Sequence, residues 1–167
     1  PLKAAIVFRE IVSYIKGSSE AVDSPGGCLG RTEYLAMGRK VAPTFDREAE
    51  GDVTSCSGRG QVYDLYLKYE MLLKACDAYD VMDACHFIHS GLREQGGYTG
   101  PRIDEIYVDE VQDFVQAELR LFLFACSDKN ALFFTGDTCQ TIARGVGFRF
   151  EELTSMFFNL AEQQKTE

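Results

Sequence analysis

The sequence predicts an α/β fold in which two parallel strands, joined by a crossover helix, follow a mostly helical region. Three observations predict it. Ile106-Tyr107-Val108 is an apolar run that stops on Asp109-Glu110. Leu132-Phe133-Phe134-Thr135, followed by Gly136-Asp137, lies one strand–helix–strand interval further on. Between them, Gln116 to Cys126 has helical periodicity, with Leu119, Phe122, Leu123 and Cys126 inward and Leu121, Phe124 and Ala125 on the other side. A helix apolar nearly all round fits a crossover sandwiched between a sheet and another layer.

The elements before this unit follow in order. Ala5, Phe8, Ile11, Val12 and Ile15 have the spacing of an amphipathic helix, ended by Gly17-Ser18-Ser19. Ser24-Pro25-Gly26-Gly27 is a turn, and a short helix is predicted over 33–37. Residues 51–60 read as a polar loop, Gly58-Arg59-Gly60 included. The clearest helix carries Val62, Leu65, Tyr66, Tyr69, Leu72, Leu73 and Cys76 on one stripe. Tyr63, Tyr66 and Tyr69 are core and rim of that helix. Asp77 or Asp80 can cap the next helix, whose apolar face is Val81, Met82, Cys85, Ile88, His89 and Leu92. Gly96-Gly97-Tyr98-Thr99-Gly100-Pro101 is the strong break. Strands are predicted over 103–108 and 131–135, and a last helix over 151–162.

Composition narrows the function classes. A 167-residue chain with 46% hydrophobic residues can bury a core. Its net charge of −9 and pI near 4.8 argue against a broad basic nucleic-acid surface, though not against a local strand-binding groove. Six cysteines without a C-x-x-C pair, Cys76 and Cys126 at apolar helical positions, point to reduced, mostly buried thiols of an intracellular protein, nuclear or cytoplasmic. No secretory leader or membrane-spanning run is visible, so no membrane partner is expected. A start at Pro1 suggests a piece of a longer chain.

The chemistry concentrates at the two strand ends. A carboxylate at the C-terminal end of a parallel strand faces the crevice where open α/β sheets bind ligands. Asp109 there can hold Mg²⁺, through water, and Glu110 can orient and deprotonate a water attacking a γ-phosphate. Gly136 lets backbone approach a phosphate closely, and Gln140 can report it through its amide. The plainer alternatives are an acidic helix start with Asp113 as N-cap, and a polar Gly-Asp turn. Cys85-His86 and His89 have some metal-ligand character, but they share a helix with apolar neighbours and lack a second cluster, which favours a structural role.

These residues carry a family resemblance. Val108-Asp109-Glu110-Val111-Gln112-Asp113 resembles motif II of the UvrD/Rep-type superfamily 1 helicases, D-E-x-Q-D. Gly136-Asp137-Thr138-Cys139-Gln140-Thr141-Ile142, with Phe148-Arg149 downstream, resembles their motif III, and Tyr79 to Asp83 is similar to their Asp-aromatic motif. The resemblance implies a RecA-like P-loop motor, with 1–95 as a helical inserted subdomain and 96–167 as the C-terminal half of the first motor domain. It implies ATP and Mg²⁺ as cofactors, and single-stranded nucleic acid, DNA over RNA, as partner, together with further motor domains in the same chain. By position, the resemblance implies that Asp109 is the Mg²⁺ residue, Glu110 the catalytic base and Gln140 the catalytic γ-phosphate sensor. It likewise implies that Gln112, Asp113, Gly136 and Asp137 line the nucleotide with Asp109 and Gln140, and that Phe148-Arg149 meets the strand, where stacking on bases is sequence-tolerant.

The departures are specific. Ala143 stands where the family has Tyr, and Arg144-Gly145-Val146-Gly147 is extra. That spelling resembles the large TPR and ankyrin repeat-containing proteins that carry a UvrD-like segment. No G-x-x-x-x-G-K-[ST] occurs, so the phosphate cradle must lie outside these residues and the isolated segment should not hydrolyse ATP at a useful rate. Two rivals stand beside the motor: a degenerate motor fold used as a protein-interaction module in a scaffold, and a Mg²⁺-dependent nuclease using the same carboxylates.

Overall fold

The computed structural model of the chain describes residues 3–37, 58–137, 153–155 and 157–158. Helix α1 (Ala4–Glu10) runs straight into a π turn (Ile11–Ile15), closed by the Lys16 N–H donating to Ile11 O at 2.9 Å. The wide turn alters the expected stripe. Val7, Ile11, Tyr14 and Ile15 are buried together, whereas Val12 turns toward a different cluster. Phe8, expected inside, is exposed and sits edge-on to Tyr69 at 6.0 Å.

Helix α2 (Ser19–Asp23) is capped by the Ser18 hydroxyl, which accepts from the Ala21 N–H at 3.2 Å. Helix α3 (Arg31–Ala36) lies near the predicted short helix. The Gly58-Arg59-Gly60 loop expectation fails, because those residues open α4 (Gly58–Ala75). Arg59 is fully buried there and donates to the carbonyls of Tyr34 and Met37 at the end of α3. A cation on the last carbonyls of a helix satisfies acceptors that have no intrahelical partner. With Val62, Tyr63 and Tyr66 of α4, these elements enclose the first core cluster.

The stripe on α4 is buried only at its N-terminal end. Leu65, Leu72 and Cys76 are exposed, as is Met71. Eighteen residues make a helix about 27 Å long, and of these only Val62, Tyr63 and Tyr66 are buried in the core shared with α1 and α3. It ends at Asp77 in the left-handed conformation (φ 50°), with the Ala78 N–H reaching back to Leu73 O. Helix α5 (Val81–Glu94) begins at Asp80, whose carboxylate accepts from the Met82 and Asp83 N–H groups, while Asp83 returns the contact to the Asp80 N–H. The Asp-aromatic segment thus starts a helix. Met82, Cys85 and His89 face inward, but Val81 and Ile88, expected with them, face solvent.

Lys16 ties this helical part together. It is 2% exposed and its ammonium donates to Glu70 at 2.9 Å, Asp80 at 2.8 Å and Asp83 at 2.6 Å. Burial alone would lower its pKa, but the three carboxylates outweigh that and hold it above the ordinary value of 10.5.

The Gly-rich break ends α5 with a Schellman turn. Gly96 (φ 72°) donates to Arg93 O, and Gly97 donates to Leu92 O. Strand β1 (Ile106–Val108) pairs in parallel with β2 (Leu132–Phe134), Val108 opposite Phe134, after crossover helix α6 (Gln116–Ala125). The chain is therefore α/β, as predicted. Both strands are shorter than predicted, and before β1 only an isolated bridge joins Ile103 to Cys126.

Helix α6 is a sandwich filling. Leu119, Leu123 and Phe122 pack with Val111, Leu132 and Phe134 on the sheet side. Ala117 and Leu121 pack with Val22, Met82, Cys85 and Val115 on the helical side. Arg120 donates to Ser19 O at 3.0 Å and Asp23 at 2.9 Å, and the Ala117 N–H donates to Gly17 O at 2.9 Å. A Cβ at Gly17 would strike Val12 O and come within 3.0 Å of Val115 Cγ2, so only glycine permits this approach. The last helix is described only at 153–155 and 157–158, where Leu153 and Phe157 join the sheet-side cluster.

Candidate nucleotide site at two strand ends

Parallel pairing fixes where the two acidic segments meet. Beyond the last paired residues, the Thr135 N–H donates to Val108 O and the Val111 N–H to Thr135 O, both at 2.9 Å. Asp109 therefore leaves β1 beside Thr135, whose hydroxyl donates to Asp109 Oδ1 at 2.5 Å. The same oxygen accepts from the Glu110 N–H at 2.9 Å. First the Thr135 hydroxyl and then that N–H hold the Asp109 carboxyl below its usual range, so it is ionised at neutral pH. It remains solvent-exposed.

Glu110 is also exposed and adopts the left-handed conformation (φ 54°, ψ 42°). A side chain in this region costs about 1–2 kcal/mol, a strain that tends to persist where function holds it. The residues after it do not form the acidic helix start of the plainer reading. Val111–Asp113 is a 3₁₀ turn with Asp113 exposed. Helix α6 starts only after Val115, whose N–H donates to Glu118 at 2.9 Å.

Gln112 lies between the two segments, 3% exposed. Its amide nitrogen donates to Glu110 Oε2, and its amide oxygen accepts from the Asp137 N–H at 3.1 Å. A Cβ at Gly136 would run into that oxygen and come within 2.8 Å of Val111 Cγ1. Gly136 thus serves the approach of the two strand ends, with Asp137 exposed at the mouth. The structure brings Asp109, Glu110, Gln112, Gly136 and Asp137 together; Asp113 follows on the same turn. Gln140, Phe148 and Arg149 lie outside the described residues. Sequence reasoning missed Thr135 as a site residue. Its signal was register, since a parallel pair aligned at Val108 and Phe134 puts Thr135 beside Asp109.

The other candidates resolve into structure. His86 Nε2 bonds Lys16 O at 2.7 Å and His89 Nε2 bonds Ala117 O at 2.8 Å. Burial lowers the pKa of both, so each ring is neutral at pH 7 with its proton on the bonded nitrogen. Among the described residues, Glu70, Asp80 and Asp83 alone have metal-ligand spacing, and the Lys16 ammonium bonds all three. Cys28, Cys76, Cys85 and Cys126 are free thiols; Cys85 and Cys126 are buried as expected, Cys76 is not. No described helix is long and apolar enough to cross a membrane.

The chain is 37% identical over 153 residues to TPR and ankyrin repeat-containing protein 1 of Homo sapiens, a match covering 92% of this chain but only 5% of that protein. No solved structure matches it significantly. The sequence profile of the UvrD/REP helicase N-terminal domain matches residues 43–156, a span that holds both carboxylate-bearing strand ends and the helix between them. The chain belongs to the UvrD/REP helicase N-terminal domain family.

Proposed function

We propose that these residues supply the magnesium-binding and water-activating half of the ATP site of a helicase or translocase, within a RecA-like motor domain. The observation that carries the reading is the joining of the two strand ends by side chains, Thr135 to Asp109 and Gln112 to both Glu110 and Asp137. A helix start or a loop turn requires no such cross-linking.

The donor set fits a hard divalent cation. Asp109 offers an exposed, ionised carboxylate, and Mg²⁺ favours one or two carboxylates with water completing its shell. Mg²⁺ bound there would neutralise charge on the β- and γ-phosphate oxygens. Thr135 orients Asp109 through one oxygen, leaving the other for the ion's water shell. Glu110 accepts the proton of the attacking water, its carboxylate aimed by Gln112. Gln140 as γ-phosphate sensor and Phe148-Arg149 as the single-stranded DNA contact rest on the sequence pattern. The chain spans about 5% of the curated relative it matches, and the reading requires a phosphate loop supplied by residues outside this sequence.

The test is strand-stimulated ATP hydrolysis by the full-length protein carrying Glu110→Gln. Loss of a general base lowers turnover about 10²–10⁴-fold, with nucleotide binding retained. Unchanged turnover would remove Glu110 from this role. A second reading, a motor fold kept as a protein-interaction module, is favoured by the likeness to a repeat-containing protein and by the charge of −9. The sequence preceding these residues in the full-length protein separates the two. An intact G-x-x-x-x-G-K-[ST] supports the motor, and its loss supports the module.

A further inference from the structure

We infer that Gln112 is a positioning residue that couples the general base to the second strand end, so that Glu110 can be aimed only while the Gly136-Asp137 backbone is seated. The inference rests on the reading of Glu110 as base. Its own support is geometric. Gln112 is a buried polar side chain with both ends of its amide engaged, one on the Glu110 carboxylate and one on the Asp137 N–H.

The chemistry of those partners selects the side chain. A backbone N–H needs an acceptor and a carboxylate needs a donor. A neutral primary amide offers both across one planar group, and of the two such side chains glutamine has the longer reach. The partners also fix which end is which, since the Asp137 N–H can bond only the amide oxygen. Gly136 keeps the path open, because any Cβ there displaces the Gln112 oxygen. Glu110 is meanwhile held in a left-handed backbone conformation two residues before Gln112. Displacement of 136–137 breaks the bond to Gln112 and frees the Glu110 carboxylate.

The experiment compares wild type, Gln112→Met and Gln112→Glu in the full-length protein, with kcat, KM for ATP, the pH profile of kcat and melting temperature measured on each. Gln112→Met keeps the volume and loses both hydrogen bonds. It lowers kcat tenfold or more, with KM for ATP within twofold of wild type. Gln112→Glu keeps an acceptor for the Asp137 N–H but sets a second carboxylate against Glu110. Two adjacent carboxylates do not both ionise readily, so the acid limb of kcat moves to higher pH, by about one pH unit. A side chain that only packs would lower the melting temperature and leave the acid limb in place, which overturns the inference. Active wild type with kcat and acid limb unchanged in both variants overturns it too. Wild type without strand-stimulated turnover instead refutes the nucleotide reading, and with it the reaction that Gln112 would serve. If Gln112→Met does not fold, Gln112→Asn, which keeps the amide but shortens its reach, decides: kcat lowered at unchanged KM supports the inference and unchanged kcat overturns it.

Discussion

Replacing Lys16 by Met isolates the strongest electrostatic device in the helical part. Methionine fills nearly the same volume but leaves three carboxylates facing a neutral thioether. Removing one partner of a buried ion pair costs about 3–5 kcal/mol, because the remaining charge stays desolvated. The three partners are not equally buried, with side chains of Asp80 10%, Glu70 23% and Asp83 36% exposed. Asp83 and Glu70 can recover hydration, while Asp80 caps α5 and cannot leave. The loss therefore falls at the low end, about 3 kcal/mol, or roughly 6–12 °C in melting temperature for a chain of this size. Urea unfolding of the 167-residue chain, followed by circular dichroism, measures it. The pH dependence gives a second readout. Burial would raise the Asp80 carboxyl, but Lys16 and the Asp83 N–H hold it below 3.8, so its contribution is present above that value and is lost as pH falls further. Lys16 itself is held above 10.5, so its contribution is full below that value and is lost as pH rises through the folded pKa. The difference between wild type and Lys16→Met is thus level from about pH 5 to 9 and shrinks below about pH 4. A variant within 0.5 kcal/mol of wild type at pH 7, a margin of about ordinary surface substitutions, refutes the argument.

Two further outcomes concern the junction of α6 with the helical layer. Gly17→Ala forces Val12 and Val115 apart and costs about 1–3 kcal/mol by urea unfolding; a neutral result would mean the junction has room that its geometry denies. Burial depresses His86 and His89, so the unfolded chain takes up their protons first. Stability is full above about pH 6.5 and falls as pH drops toward the folded pKa values. Unfolding free energies at pH 7.5 and 5.5 should differ less in His89→Gln than in wild type, and an equal slope assigns the dependence elsewhere.

The strand–helix–strand unit was legible because its apolar runs and the all-round helix leave few other arrangements. The meeting of the two strand ends was legible for the same reason, since parallel register carries one to the other. The helical region was read less well. Periodicity marks the apolar stripe of α4 but not how many turns its neighbours cover, so Leu65, Leu72 and Cys76 were placed inside when they face water. Buried polar residues were the other blind spot. Lys16 meets partners 54 to 67 residues away, Arg120 meets Ser19 across 101, and Arg59 reaches the end of α3 from what reads as a glycine loop. Such side chains look like surface residues until the elements that surround them are in place.

The two-sided burial of α6 has a mechanical consequence. The strongest punctuation in the chain, Gly96-Gly97, falls between the helical and sheet parts, yet it does not make a hinge. Val22, Met82, Cys85, Val115 and Ala117 form one cluster across that boundary, and hydrogen bonds from His89 and Arg120 cross it as well. Close-packed contacts of this kind yield little before they break. Load applied at the strand ends therefore meets a seam in which α6 is packed and hydrogen-bonded to α2 and α5, not a bare connection at Gly96-Gly97.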